Sequence, residues 1–263
     1  MTDDVATTKD STPPVVEGSV AIMYLTRGEV RFEFSQSLIA LMQQKSALEV
    51  TYILGQIGSG NLAVHRNEVV AKFLTETPAE FLLLLDDDMQ FPTDIIDKLY
   101  DVLDNTGLRI VGGLYGNIGT DGGMIPMAYH LHENNRLEPY SATAIGQLIN
   151  KGGKSVKVWS TGAGCLLIHR SLLEDMVERY GWPMPCFDNP IVPDASGHPV
   201  VQGEDHGFFR RLIEMEEEVQ VCIDVDLSHF KVMAISRQMF IDAGEKATNP
   251  LFELPTSQEE ETP

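Results

Sequence analysis

Apolar positions in the first half of the chain alternate between short unbroken runs and stripes at helical spacing. Ser19–Leu25 reads as a buried strand, followed by a loop at Thr26, Arg27 and Gly28. Phe34, Leu38, Leu41 and Met42 then recur on one helix face. Leu48–Leu54 is a second run. A glycine-bearing loop, Gly55–Gly60, leads from it into a helix striped by Leu62, Val69, Val70, Phe73 and Leu74. Phe81–Leu85 is a third strand, Ile95–Leu103 a helix opened by Pro92, Thr93 and Asp94, and Arg109–Leu114 a fourth strand. Near-continuous apolar strands alternating with helices predict an α/β fold. Its sheet is expected to be mainly parallel, covered on both faces, with ligands at the carboxyl ends of the strands.

The second half follows another pattern. Met124–Leu167 carries short strand signals and glycines, and Gly181–Gln202 is a long proline-containing stretch of the kind reserved for function. Phe208, Phe209, Leu212 and Ile213 form a helical stripe. From Val219 to His229 the odd positions are apolar until the histidine, which predicts one strand. Residues 1–18 and 248–263 are polar and read as flexible ends around one domain at 19–247, divided near 123 into two halves.

Five groups along this frame could carry chemistry. Phe81–Leu85 ends in Asp86, Asp87 and Asp88, and three adjacent carboxylates repel unless a cation stands beside them. In an extended chain Asp86 and Asp88 share one side and suit Mg or Mn. Arg66, beside His65 and Asn67, sits on an apolar stripe where a helix start meets the ligand edge, a place for a diphosphate or for an ion pair with an aspartate. Glu204 and Asp205 open the helix of Phe208, and Asp205 faces the cleft as a candidate base. His229 continues a buried register and could complete a metal site with Asp88. Gly162 and Gly164, after Trp159, let backbone approach a ligand, and an indole can stack on a sugar.

Charge sharpens this picture. Nineteen Lys and Arg against 39 Asp and Glu give a formal charge of −20, which disfavours nonspecific attachment to nucleic acid or an anionic membrane. A phosphate-bearing ligand then needs a local helper, and a divalent cation bridges carboxylates and phosphates. Part of the acidity lies in the tail at 257–263 and serves solubility. No apolar run reaches the ~18 residues of a membrane span. The three cysteines, Cys165, Cys186 and Cys222, form no metal-binding pair, which suggests a reducing cytoplasm.

Asp86-Asp87-Asp88, Gly162-Ala163-Gly164, Glu204-Asp205 and His229, in this order, resemble the GT-A glycosyltransferases. The likeness is to family 2 and its compact, sometimes phage-encoded members, over residues 19 to 235. The resemblance implies a Rossmann-like donor half (19–123) and a mixed acceptor half (124–247). Its implied metal ligands are Asp86, Asp88 and His229, with Mn2+ or Mg2+ as the cofactor. On the donor side it implies Thr26, Arg27, Arg66, Asn67, Asp86, Asp87, Gly162 and Gly164; on the acceptor side, Trp159 and Trp182. Asp205, with Glu204, would serve an inverting transfer, and a positioning role remains if the enzyme retains configuration. A UDP- or GDP-sugar is the expected donor, with modified DNA or a protein among the acceptors. Two rivals stay open: a nucleotidyltransferase, disfavoured by the absence of a Gly-rich basic loop after the first strand, and a non-catalytic nucleotide- or sugar-binding module.

Overall fold

Between Ser19 and Leu25 every side chain except Tyr24 is buried, which a strand achieves only when both its faces are covered. The computed structural model describes residues 14–231 apart from 59, 120–121, 132–136, 183–185 and 194–195, and supplies that cover. The elements are β1 (Val16–Thr26), α1 (Phe32–Met42), β2 (Glu49–Ile57), α2 (Leu62–Glu76), β3 (Ala79–Asp86), α3 (Ile95–Thr106) and β4 (Ile110–Gly113). After them come α4 (Ala142–Asn150), β5 (Ser155–Val158), β6 (Cys165–His169), α5 (Arg170–Tyr180), α6 (Glu204–Glu214) and β7 (Val219–Cys222). These strands form a seven-stranded sheet in the order β5-β7-β4-β6-β3-β1-β2.

β3 shows how the pattern becomes packing. Leu82 and Leu84 enter the core beneath α2, α5 and α6, while Phe81, Leu83 and Leu85 enter the opposite core beneath α1 and α3. Each buried leucine is worth about 1.5–3 kcal/mol, so this run holds β3 at the centre of the sheet. Its last residue, Asp86, lies in register with Leu25, and Thr26 pairs with Ile57. The carboxyl ends of β1, β2 and β3 therefore form one edge.

Several expectations are corrected. β6, from the second half, joins the sheet between β3 and β4 and runs antiparallel to both, while β1, β2 and β3, and separately β4 and β7, pair in parallel. Expected as one strand to His229, β7 stops at Cys222. Ile223 and Val225 remain buried, so the alternation reported burial but not continuity. Residues 228–229 form a separate short strand, antiparallel to residues 89–90. Helices α4 and α5 were not foreseen. The stripe of α5, Leu172, Leu173 and Met176, is short and surrounded by charge. Asp94 precedes α3 without a side-chain cap bond and instead lies 3.4 Å from Lys98.

β1 already begins at Val16, inside the stretch expected to be flexible. All of these elements belong to the unit Met1–Phe230. The expected boundary at 247 and the acidic tail lie outside the described residues. Among the described residues, no helix is long and apolar enough to cross a membrane.

Candidate active site

The carboxyl edge of the sheet gathers most of the candidate residues, in two groups. In the first, Arg66 rises from the second turn of α2 and is only 3% exposed. Its Nη2 donates to both oxygens of Asp86 at 2.9 and 3.0 Å, and its Nη1 donates to Glu204 at the start of α6. Burial works against the guanidinium charge, but Asp86 and Glu204 outweigh it and its pKa stands above the ordinary value. Arg66 thus ties the end of β3 to α6, and its polar edge is spent on protein carboxylates. The buried Nε has no hydrogen-bond partner.

The second group is Asp88 and His229. A turn after Asp86 takes Asp88 away from the direction of β3. The short strand at 228–229 pairs with 89–90, and the Phe230 amide donates to the Asp88 carbonyl at 2.9 Å. His229 Nε2 then stands 3.4 Å from Asp88 Oδ2, and Nδ1 lies 3.1 Å from the Gly116 carbonyl. A carbonyl only accepts, so Nδ1 donates to it, and Nε2 is the ring atom presented to the carboxylate. An imidazole nitrogen and a carboxylate oxygen are donor types that suit a divalent cation.

Of the three expected metal ligands, Asp88 and His229 lie together and Asp86 is paired with Arg66. Among the described residues no three His, Cys, Asp or Glu side chains converge as a metal site, and Arg66 engages both oxygens of Asp86. Two protein ligands still suit an ion that completes its shell with substrate phosphates and water.

The remaining candidates fall around these groups. Burial raises the Asp87 carboxyl above its ordinary value, opposed by a hydrogen bond from the Thr26 hydroxyl, with Asp88 and Asp86 adding to the rise. Thr26 Oγ1 also accepts from the Gly28 amide at 3.0 Å, and Arg27 is exposed. Asn67 clasps the backbone of Phe187 through both its amide groups, each at 2.8 Å, and so ties down part of the long proline-containing stretch. Gly207 admits the Asp188 backbone against α6, where any Cβ would collide. Trp159 and Trp182 are 40% and 51% exposed, free to meet a ligand face.

Asp205 accepts from the His206 amide at 2.8 Å within the first turn of α6. Beside it lies a group that sequence reasoning passed over. His206 Nδ1 is 2.8 Å from the buried Ser160 hydroxyl, and its ring meets Tyr129 edge-on at 5.0 Å. Burial raises the Tyr129 phenol, and the Asp205 charge adds to it. The sequence held no local signal for this cluster, whose members lie on separate elements.

No protein-family model matches the sequence, and no match is found among curated proteins. Solved structures do match. A197 from STIV aligns with a TM-score of 0.51 and 19% identity over 81% of this chain and 86% of that one. GalNAc-T7, solved with UDP, GalNAc and Mn2+, aligns with a TM-score of 0.53 and 9% identity over 82% of this chain. The fold is of the GT-A type. The chain spans 44% of the GalNAc-T7 chain, and at these identities the likeness is one of fold.

Proposed function

We propose that this protein transfers a sugar from a nucleotide-diphosphate sugar to an acceptor hydroxyl, with Mn2+ or Mg2+ held by Asp88 and His229. One observation carries the reading: on a GT-A fold, an imidazole whose Nδ1 faces the Gly116 carbonyl turns Nε2 to a carboxylate 3.4 Å away. GalNAc-T7 was solved with UDP and Mn2+, which supports a nucleotide-sugar donor for this chain too. A bound divalent ion supplies positive charge to the departing diphosphate.

The residues of the chain divide the remaining work. Arg66 positions Asp86 and Glu204, and through them the start of α6. Asp205, in that first turn, takes the proton of the acceptor hydroxyl in an inverting transfer. Thr26 and Asp87 line the donor side, and the exposed faces of Trp159 and Trp182 receive the acceptor.

Thermal unfolding with UDP- and GDP-sugars, with and without Mn2+, tests the donor and the metal together. Donor at 100 times its Kd should stabilise the protein by about 2.7 kcal/mol, and chelator should abolish the effect. Stabilisation unchanged in chelator removes the ion from the reading, and no response to any nucleotide sugar overturns it. Asp205→Asn should lower transfer ~100- to 10,000-fold while donor binding persists. Near-normal transfer by that variant, or retained anomeric configuration in the product by NMR, would end the base assignment alone.

A further inference from the structure

Tyr115 lies two residues past the end of β4 and is buried, yet no motif marks it. Its hydroxyl lies against the glycine loop. A Cβ on Gly162 would collide with that hydroxyl, and one on Gly164 would stand 2.9 Å from it and 3.2 Å from Asp86 Oδ2. The two glycines, expected to admit a ligand, therefore admit a tyrosine.

Hydrogen bonds continue the connection. The Gly164 amide donates to the Tyr115 hydroxyl at 3.0 Å, and the Asp86 amide donates to the Gly164 carbonyl at 3.0 Å. On its other side the Tyr115 ring meets the His229 ring edge-on, centroids 5.1 Å apart. The next residue, Gly116, supplies the carbonyl that faces His229 Nδ1. Tyr115 itself is anchored by the Met127 amide, which donates to its carbonyl at 2.9 Å.

We infer that Tyr115 is a positioning residue joining the two groups of the site: its ring and adjoining carbonyl fix the orientation of His229, and its hydroxyl fixes Asp86 through Gly164. The metal-affinity part of this inference rests on the proposed reading of Asp88 and His229 as ligands of one divalent ion; the orientation of the ring does not. Groups that orient a ligating histidine typically change metal affinity 10- to 100-fold when removed.

The test compares wild type, Tyr115→Phe and Tyr115→Leu by 15N NMR of the histidine rings in the metal-free protein, and by Mn2+ titration calorimetry. Wild-type His229 should carry its proton on Nδ1. Tyr115→Leu should give His229 a mixture of tautomers and weaken Mn2+ binding about 10- to 100-fold. Tyr115→Phe keeps the ring and removes the acceptor of the Gly164 amide. It should leave His229 unchanged, hold Mn2+ affinity within about twofold, and shift the backbone signals of Gly164 and Asp86.

A folded Tyr115→Leu protein with an unaltered His229 tautomer overturns the inference. If that variant does not fold, Tyr115→Phe decides, and unmoved Gly164 and Asp86 signals overturn it. Wild type that shows the Nδ1 tautomer but binds no Mn2+ sinks the metal reading instead, leaving the role of Tyr115 to be judged on the tautomer.

Discussion

Arg66 and Arg170 are both almost fully buried, 3% and 2% exposed, and they are held in opposite ways. Arg170 meets neutral acceptors: Ala79 O from Nε, Leu74 O from Nη1, and Phe73 O, Thr77 O and Thr77 Oγ1 from Nη2. Phe73 and Leu74 belong to the last turn of α2, whose carbonyls lack helical partners and carry the negative end of the dipole. The guanidinium also lies over the Phe73 ring at 4.3 Å. Burial lowers its pKa, with the Glu174 charge only partly opposing. Arg66 instead faces the carboxylates of Asp86 and Glu204 and leaves Nε unpaired. Arg170 is held mainly by backbone dipoles, with Glu174 3.9 Å away, whereas Arg66 is held by two carboxylates and keeps a buried donor without a hydrogen bond.

Arg66→Met should sharpen the contrast most. It leaves two partly buried carboxylates without their cation, at a cost of up to about 3–5 kcal/mol in urea unfolding, and transfer should be lost. Adding Asp86→Asn and Glu204→Gln should restore most of the stability but none of the activity. Full stability in the single variant would mean that Arg66 and its partners are not coupled as described.

Arg170→Met should cost about 2–3 kcal/mol, because the carbonyls closing α2 lose their donors. Nucleotide-sugar affinity, measured on the folded fraction, should not change. A loss of donor binding would break the comparison by making Arg170 part of the site.

Arg211 supplies the smallest effect. It pairs with Asp188 through two bonds at 2.8 and 2.7 Å, in a partly exposed position. Arg211→Met should therefore cost under about 1 kcal/mol at neutral pH. The hydrogen bonds from Arg211 hold the Asp188 carboxyl below its ordinary value. A depressed carboxyl stabilises the fold above the unfolded pKa, and that contribution is lost as pH falls through the folded value. The stability difference between wild type and Arg211→Met should accordingly shrink as pH drops below the ordinary carboxylate range; a constant difference would assign the effect to packing.

Much of the first half was legible because its signals are local. Leu82 to Leu85 had to be a strand covered on both sides, and the carboxylates ending it had to meet a cation. That cation proved to be Arg66 for Asp86, an alternative the sequence held open without deciding. The second half was less legible. The alternation from Val219 to Val225 recorded burial correctly, but burial of every second residue does not require an unbroken strand. Tyr115 and His206 carried no signal at all, since an aromatic after a strand and a histidine in a helix are ordinary in any core.

The sequence by itself determined which segments are apolar, with what period, and hence that a mainly parallel sheet with helices on both faces would form with acidic residues at one edge. Periodicity depends on neighbours within a few residues, and solvent enforces it locally. Only the tertiary structure decided that β6 enters between β3 and β4, that Asp86 turns to Arg66 while Asp88 turns to His229, and that Tyr115 stands between the two groups. Those pairings join residues 20 to more than 100 positions apart. Their geometry follows from how whole elements pack, and a linear pattern of hydrophobic and polar positions does not encode it.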